Sequence, residues 1–308
     1  MKTDTIYNHF CECIGSQNVL RNEPMKNHTT FRIGGEVKYF LQPQDITSVQ
    51  ALLRICTDEK IPFHIIGNGS NILVSDDGFA GAIIQIYKNM SEVTHTEEMI
   101  KAQAGASLTQ IANVAAKANL TGLEFAAGIP GTVGGAVVMN AGAYGGEMKD
   151  VLDQVVVLSQ AGEIITLAKE ELEMGYRTSI IKKKKYIVLE TVFALKRGDE
   201  TMIHDKMEEL KEQRVSKQPL EFPSAGSTFK RPEGHFAGKL IMEAGLRGFS
   251  VGDAQVSEKH CGFVINKGNA TAADVIKLMQ CVKEKVQEQS GIELEPEVQL
   301  LGDFKDEE

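Results

Sequence analysis

In several segments of the chain, apolar residues recur roughly every three or four positions, the period of a helix buried on one face. Three such segments also begin with a helix start signal. Asp45 is a predicted N-cap, and Ser107 with Gln110 forms a predicted capping box. Thr271 is followed three residues later by Asp274, and the helix that it starts is predicted to end before Gly291. The residues predicted to face the core are Ile46, Val49, Leu52, Leu53, Cys56, Leu108, Ile111, Ala115, Val275, Met279, Val282 and Val286.

Apolar runs of strand length lie between these helices. They cover residues 61–66, 83–87, 154–167 and 186–195, and the run 154–167 predicts a hairpin around Ala161 and Gly162. A highly charged helix is predicted over residues 202–214. The periodicity is lost after it, and Pro219 and Pro223 follow, which indicates a boundary before a last domain.

Composition narrows the class of protein without changing this picture. The chain has 308 residues, 42% of them hydrophobic, and a net charge of −9. We expect a cytoplasmic globular protein, because no apolar run is long enough for a membrane span and no secretory signal is visible. The acidic balance argues against nucleic acid and membrane lipid as partners. Five Cys residues do not indicate a disulfide framework, and no His pair has metal-ligand spacing, so no metal is expected.

Glycine is in excess, with 29 residues, and much of the excess lies in two segments. Residues 67–71 read GNGSN and follow a predicted buried strand. Their N–H groups can form a nest for a pyrophosphate, although a tight turn between strands explains this segment equally well. Residues 127–146 carry glycine so often that a backbone wrapped around a flat or polyphosphate ligand is favoured. Neither segment has the spacing of a Rossmann or Walker A motif.

Four further features carry candidate chemistry, each with a simpler interpretation beside it. Arg177, next to Tyr176, is more often a surface or bridging salt-bridge residue than a catalyst. Ser227 follows a glycine and precedes two cations, but loop hydroxyls usually cap turns. Glu297 ends a run of alternate carboxylates with Glu293 and Glu295, which solvated strand residues also produce. His260 could act as a base, although a hydrogen-bonded structural histidine is commoner.

Taken in order, eight motifs resemble the UDP-N-acetylenolpyruvoylglucosamine reductase family, in particular its shorter bacterial form. The motifs are TTFRIGG (29–35), IGNGSNILV (66–74), AAGIPGTVGGAVVMNAGAYG (126–145), GYRTS (175–179), PSAGSTFKRP (223–232), KLIMEAGLRG (239–248), AQVSEKHCGFVIN (254–266) and LEPEV (294–298). They run from about residue 29 to near the C-terminus. Eight motifs in one order are far more specific than any one alone.

The resemblance implies an α+β protein with the two-subdomain FAD-binding fold of the vanillyl-alcohol oxidase/PCMH type and a C-terminal α+β substrate-binding domain. The expected divisions are FAD-binding subdomains at residues 1–95 and 96–200 and a substrate-binding domain at residues 201–308. Residues 1–21 are expected to form a helix on the FAD-binding part. The residues expected to bind FAD are Gly67, Asn68, Gly69, Ser70, Asn71, Ala127, Gly128, Pro130, Gly131, Gly134, Gly135, Asn140, Ala141, Gly142 and Ala143.

The same resemblance implies a reaction. NADPH would reduce FAD as a co-substrate, and hydride would then pass to C3 of the enolpyruvyl group of a UDP-sugar. Ser227 would donate a proton to C2, while Arg177 and Glu297 stabilise and orient the intermediate. The expected substrate-binding residues are Tyr176, Lys217, Lys230, Arg231 and His260. Position 231 departs from the longer family members, which carry Asn there.

Two other functions remain open at this point. One is another flavin oxidase of the PCMH type, which would use O₂ and has no need of the Ser227 and Glu297 segments. The other is a non-catalytic sugar-nucleotide binding protein, which would keep the glycines without requiring Arg177, Ser227 and Glu297 together. The chain is expected to be a monomer or a weakly associating homo-oligomer.

Overall fold

The computed structural model describes residues 2–304, with side chains from residue 5 onward. The chain divides into two compact units that interleave along the sequence. The first unit comprises Met1–Arg21, Tyr39–Asn68 and Gly81–Arg214, and the second comprises Asn22–Lys38, Gly69–Ala80 and Val215–Glu308. The predicted three-part division, with boundaries at residues 95 and 200, stays a prediction.

The helices differ widely in length, from single turns to more than four turns. In chain order they are α1 (Lys2–Ile14), α2 (Ile46–Asp58), α3 (Leu108–Lys117), α4 (Val133–Val138), α5 (Met148–Val151), α6 (Ile180–Lys184), α7 (Glu200–Lys217), α8 (Ala237–Glu243) and α9 (Ala272–Ser290). No helix within residues 2–304 combines the length and the apolar character that crossing a membrane requires.

The strands are mostly short. In chain order they are β1 (Val19–Pro24), β2 (Glu36–Leu41), β3 (Phe63–Ile66), β4 (Ile72–Val74), β5 (Phe79–Gln85), β6 (Val93–Thr96), β7 (Met99–Gln103), β8 (Leu120–Thr121), β9 (Gly142–Ala143), β10 (Gly146–Glu147), β11 (Leu152–Leu158), β12 (Ile164–Ala168), β13 (Ile187–Ala194), β14 (Lys196–Arg197), β15 (Ser224–Ser227), β16 (Ser250–Val251), β17 (Ala254–Val256), β18 (Phe263–Asn266) and β19 (Gln299–Leu301).

The first unit contains two hydrophobic cores. The smaller core lies where α1 and α2 cover a sheet of order β1-β2-β5-β3. Its buried residues are Phe10, Ile14, Val19, Tyr39, Leu41, Leu52, Cys56, Ala82 and Ile84. The larger core is built on the antiparallel sheet β12-β11-β13-β7-β6, which α3 and α4 contact. Its alternating strand residues, such as Val155 and Val157, are fully buried, as expected for a sheet with one face in the core.

The second unit is organised around the antiparallel sheet β15-β18-β17-β16 and the long helix α9. Val275, Leu278 and Val282 bury the apolar stripe of α9 in its core. Residues from far earlier in the chain complete that core, because Phe31, Ile33 and Leu73 lie in the same cluster. Strand β4 also belongs here, since it pairs in parallel with β19.

Most of the predicted elements are confirmed. Asp45 caps α2 by accepting from the N–H of Ser48, and Thr271 with Asp274 forms a complete capping box. Gly291 ends α9 with a φ of 72°, the left-handed conformation that favours glycine. The predicted hairpin is the antiparallel pair of β11 and β12. The predicted strand at 83–87 instead begins at Phe79 and ends at Gln85.

Two local predictions were wrong in part. Ser107 accepts from the N–H of Gln110, but the Gln110 amide donates to the carbonyl of Ser91, so the capping box of α3 is only half formed. The helix expected over residues 1–21 covers only α1, because residues from Val19 onward form β1. Its packing is confirmed, since Phe10 is fully buried in the smaller core of the first unit.

Candidate active site

The first glycine segment, residues 67–71, follows β3 and makes close contacts with two other stretches of chain. A Cβ at Gly67 would collide with the hydroxyl of Thr132, and the Asn68 amide donates to the carbonyl of Pro130 at 2.9 Å. Gly69 has a φ of +63°, and a Cβ there would collide with the carbonyl of His28. The protein's own atoms therefore supply a packing reason for glycine at positions 67 and 69.

The N–H groups of this segment remain available for a ligand. Within residues 2–304, the N–H groups of Asn68, Gly69 and Ser70 donate to no other atom of the chain. Gly69 is nevertheless buried. Consecutive N–H groups next to a left-handed residue form the concave donor set that binds phosphate groups. The segment therefore has both the contacts of a tight turn and the donor groups of an anion-binding nest.

The second glycine segment surrounds α4. Thr132 is the N-cap of α4, and the N–H groups of Val133 and Gly134 donate to the carbonyls of Ala106 and Ala104. A Cβ at Gly134 would lie 3.0 Å from that of Ala104, so Gly134 lets the helix approach the neighbouring chain. Gly135 is exposed, with open space around it beyond Thr132. Gly145 is exposed as well, and nothing lies within 4 Å of a Cβ built there, so the backbone of the segment is open at both glycines.

A buried arginine that the sequence did not indicate as a site residue contacts the same segment. Arg214 is 8% exposed, and a Cβ at Gly128 would lie 2.6 Å from its Nε. Its guanidinium also lies 5.7 Å from the centre of the Tyr144 ring. Burial lowers the pKa of Arg214. The available signal was its position in α7, on the same buried face as Ile203 and Leu210.

Tyr176 and Arg177 occupy the tip of a tight turn in the first unit. The main chains of Gly175 and Thr178 bond to each other in both directions, at 3.0 and 3.3 Å. Arg177 has a φ of 56°, and its guanidinium lies 5.0 Å from the centre of the Tyr176 ring. An arginine in the left-handed region costs on the order of 1 kcal/mol or more, so neighbouring contacts must hold it there.

Ser227 ends β15 in the second unit, next to an irregularity in the sheet. The register of β15 against β18 shifts between Ser224 and Ser227, where Gly226 has a φ of +77°. Thr228 then fixes the chain through three bonds. Its N–H donates to the carbonyl of Gly262 at 2.9 Å, its hydroxyl accepts from the N–H of Val264 at 2.9 Å, and its carbonyl accepts from the N–H of Glu297 at 2.8 Å.

The structure therefore brings the Ser227 and Glu297 segments together as two neighbouring stretches of the chain joined by main-chain hydrogen bonds. The N–H of Lys230 donates to the carbonyl of Glu295 at 2.9 Å, and its ammonium lies 2.7 Å from the Glu295 carboxylate. That bond lowers the pKa of Glu295. Asn71 of the first glycine segment also joins here, because its amide donates to the carbonyl of Glu297 at 3.3 Å.

The remaining predicted substrate residues lie at several places in the second unit. Lys217 is exposed at the end of α7, and the guanidinium of Arg231 lies 4.5 Å from the centre of the Phe236 ring. His260 is half-buried, and its Nδ1 accepts from the N–H of Gly262 at 3.1 Å. Burial lowers the pKa of His260, so near neutral pH the imidazole is uncharged and carries its proton on Nε2. No group of three His, Cys, Asp or Glu residues in the described part of the chain is placed to hold a metal ion.

Comparisons with known proteins decide the family. Residues 218–301 match the profile described as the C-terminal domain of UDP-N-acetylenolpyruvoylglucosamine reductase, and residues 37–168 match that of an FAD binding domain. The UDP-N-acetylenolpyruvoylglucosamine reductase of Agathobacter rectalis is 55% identical over 93% of this chain and 95% of its own length. The chain belongs to the UDP-N-acetylenolpyruvoylglucosamine reductase family.

Two further relatives agree with this assignment. The reductase of Geobacillus kaustophilus is 51% identical over 97% of this chain and 98% of its own length. The crystal structure of the Thermus caldophilus reductase superposes with a TM-score of 0.79 at 35% identity, over 92% of this chain and 99% of that one. The predicted family, the FAD-binding fold with its C-terminal domain and the FAD cofactor are thereby confirmed.

Proposed function

We propose that this reductase-family chain reduces UDP-N-acetylglucosamine enolpyruvate to UDP-N-acetylmuramate, with NADPH as co-substrate, in peptidoglycan precursor synthesis. Sequence identity of 51–55% to known reductases over nearly the whole chain supports this proposal over the two alternatives, an oxidase and a binding protein. The observation that carries it in the structure is the pairing of the Ser227 and Glu297 segments through Thr228. Neither alternative needs the serine segment and the glutamate segment bonded to each other along their main chains.

The chemistry that FAD would supply here, once bound and reduced, is a hydride for C3 of the enolpyruvyl group. The residues that would hold FAD are those of the two glycine segments, with the free N–H groups of Asn68, Gly69 and Ser70 at the pyrophosphate. Asn140 would contribute only its main chain, because its carboxamide is bonded within the protein. The Asn68 amide bonds to Pro130, so Asn68 links the two segments while its N–H binds the cofactor. The backbone around Gly135 would face the rings.

Ser227 donates the proton to C2 in this proposal. A serine hydroxyl is a poor acid in water, so it must be fixed in place and its developing alkoxide stabilised. The bonds of Thr228 fix the chain next to Ser227, and the ammonium of Lys230 lies three residues further on. Arg177 and Glu297 stabilise and orient the charge that develops on the substrate carboxylate.

The remaining side chains bind the UDP-sugar. Lys217, Lys230 and Arg231 attract its diphosphate, Tyr176 supplies an exposed aromatic face, and His260 offers its Nε2 proton as a hydrogen-bond donor. Lys230 is already paired with Glu295, so its charge is partly compensated before substrate binds. We place the reaction in the cytoplasm and propose that the protein works as a monomer or a weakly associating homo-oligomer.

Rapid mixing that separates the two half-reactions tests this function. The purified protein is expected to show a flavin absorbance band. It is expected to consume NADPH beyond the single equivalent that reduces its flavin only when the enolpyruvyl substrate is present. Ser227→Ala is expected to keep flavin reduction by NADPH and to slow flavin oxidation by the substrate about 100-fold or more, because one proton donor is removed.

The matched control is Ser224→Ala in the same strand. The main-chain carbonyl of Ser224 accepts a hydrogen bond from the Thr30 hydroxyl, and this bond remains when the side chain is replaced. This control is expected to retain both rates. An equal loss of both half-reactions in Ser227→Ala would contradict the proton-donor role. Continued turnover of NADPH at the same rate with and without the enolpyruvyl substrate would contradict the proposed function as a whole.

A further inference from the structure

Asn140 lies in the second glycine segment, but its side chain is occupied by the protein. It is 1% exposed and has a φ of 43°. Its Oδ1 accepts from the N–H of Lys149 at 2.9 Å, and its Nδ2 donates to the Glu147 carboxylate at 2.6 Å and to the carbonyl of Gly175 at 3.1 Å. Both amide protons therefore have partners, and any contact with a cofactor is left to the backbone.

The orientation of this carboxamide is determined by its neighbours. Reversing the amide would place its NH₂ group against the N–H of Lys149. It would also turn its oxygen toward the Glu147 carboxylate and the Gly175 carbonyl. Both changes replace attraction by repulsion, so only one orientation is stable. A buried amide with one orientation is a rigid support for whatever it binds.

The Gly175 carbonyl that Asn140 binds begins the turn of Tyr176 and Arg177. Arg177 occupies the left-handed region, which a non-glycine residue adopts only where the surroundings impose it. At the other end of the turn, Ser179 is fully buried and its hydroxyl donates to the carbonyl of Val138 at 2.8 Å. The turn is thus attached at both ends, by one side chain at each end. One partner is the last residue of α4, and the other lies in the segment just after that helix.

We propose that Asn140 is a positioning residue that acts through Arg177. Its amide fixes the Gly175 carbonyl, which fixes the strained backbone of the turn, and that backbone sets the direction of the Arg177 guanidinium. The inference rests on the proposed function, in which Arg177 stabilises charge on the substrate. It predicts that loss of the Asn140 amide slows the step that needs Arg177 and leaves cofactor binding unchanged.

Asn140→Asp tests this inference because it keeps the shape of the side chain and removes both donated hydrogen bonds. We expect flavin oxidation by the enolpyruvyl substrate to slow about tenfold to 100-fold, since small displacements of an aligned group have effects of this size. The flavin-to-protein ratio and the rate of flavin reduction by NADPH should equal those of the unmodified protein. Asn119→Asp is the matched control, because Asn119 also has a positive φ (55°) but an exposed side chain.

A double-mutant cycle with Arg177→Ala distinguishes positioning from a general structural role. If Asn140 acts through Arg177, Asn140→Asp adds no further loss in the Arg177→Ala protein, because the group that it positions is absent. Multiplied losses would overturn the inference, and so would a reduced flavin content. Asn140→Gly repeats the cycle if the aspartate variant folds poorly, since glycine suits the positive φ and adds no charge beside Glu147.

The single variants separate this inference from the proposed function. Should Arg177→Ala alone leave substrate-dependent oxidation of the flavin unchanged, the role of Arg177 is wrong and the positioning role is overturned with it. Should Arg177→Ala slow that step while both Asn140 variants retain it, only the positioning role is overturned.

Discussion

The two regions that carry the proposed chemistry are held in place in different ways. In the first unit, the turn of Tyr176 and Arg177 is attached by two side chains, the Asn140 amide and the Ser179 hydroxyl. In the second unit, the segment after Ser227 is attached mainly by its backbone, because the N–H and the carbonyl of Thr228 bond to the main chains of Gly262 and Glu297.

This difference decides what a single substitution can do. A side-chain bond disappears when the side chain is replaced, so the turn of Arg177 can lose its geometry while the surrounding sheet remains. Main-chain bonds survive almost any substitution. Changes near Ser227 should therefore lower stability while the reaction rate is retained, whereas changes near Arg177 should lower the reaction rate as well as stability.

The largest stability effect is expected for Ser179→Ala. The Ser179 hydroxyl is fully buried, donates to Val138 and accepts from the N–H of Lys182 as the N-cap of α6. Its removal leaves the carbonyl of half-buried Val138 without that donor and removes a helix cap, so the free energy of unfolding should fall by about 1–3 kcal/mol. Thermal denaturation of the flavin-loaded protein measures the loss.

Ser290→Ala is the control for that variant. The Ser290 hydroxyl makes the same kind of bond, to the carbonyl of Val286, but Ser290 is exposed at the end of α9, so water replaces the bond. The two substitutions should differ clearly in denaturation temperature. An equal fall in denaturation temperature for the two variants would mean that burial does not strengthen the Ser179 bond. Other contacts would then hold the turn.

Thr228→Val is expected to lower the free energy of unfolding somewhat less, by about 1–2 kcal/mol. Valine keeps the shape of the side chain but leaves the N–H of Val264 without its acceptor. The main-chain bonds of Thr228 remain, so the rate of flavin oxidation by substrate should change less than threefold, roughly within the error of such comparisons. Urea denaturation and rapid mixing on the same sample measure both quantities.

Thr166→Val on β12 is the matched control, since Thr166 is exposed on a strand and valine is tolerated there. It should change neither stability nor rate appreciably. A large loss of the oxidation rate in Thr228→Val with little loss of stability would contradict the view that the backbone holds Ser227.

The smallest expected effect is the pH dependence of stability that His260 contributes. Burial lowers the pKa of His260, so the unfolded chain binds a proton more readily than the folded one as the pH falls below about 6.5, the usual pKa of histidine. The stability that depends on neutral His260 is thus fully present above that pH and decreases as the pH falls toward the folded pKa. Protonation also removes the acceptor for the N–H of Gly262, whose carbonyl binds Thr228.

His260→Asn is expected to weaken this dependence, because its Oδ1 takes the place of Nδ1 and can accept the same bond without titrating. Urea midpoints at pH 7 and pH 5 should therefore differ less for the variant than for the unmodified protein. Burial also lowers the pKa of His64, but that residue is present in both proteins and its effect cancels. Identical pH dependence in the two proteins would exclude a contribution from His260.

Much of the local structure could be predicted because its causes lie close together in the sequence. The caps of α2 and α9 depend on residues three positions apart, and the hairpin of β11 and β12 depends on a turn between two apolar runs. The capping box of α3 was predicted only in part, since the Gln110 side chain binds Ser91, nineteen positions away in sequence.

The candidate site was predictable as a set of motifs, but not as a set of contacts. Arg177, Ser227 and Glu297 are recognisable from their surrounding motifs. The functions of Asn140 and Thr228 were not recognisable, because each depends on which distant chain its hydrogen bonds reach. Glycine at positions 67 and 134 has a packing cause that composition cannot reveal, namely contacts with Thr132 and Ala104.

The sequence by itself therefore determined the amphipathic helices, their caps, the hairpin and the family, since each depends on short-range spacing or on motif order. Tertiary structure alone decided that Asn22–Lys38 and Gly69–Ala80 join the C-terminal residues in one unit. It also decided that β4 pairs with β19 and that the Asn140 amide supports the turn of Arg177. The physical reason is that a strand edge or a buried amide is satisfied by whichever partner the folded chain brings to it.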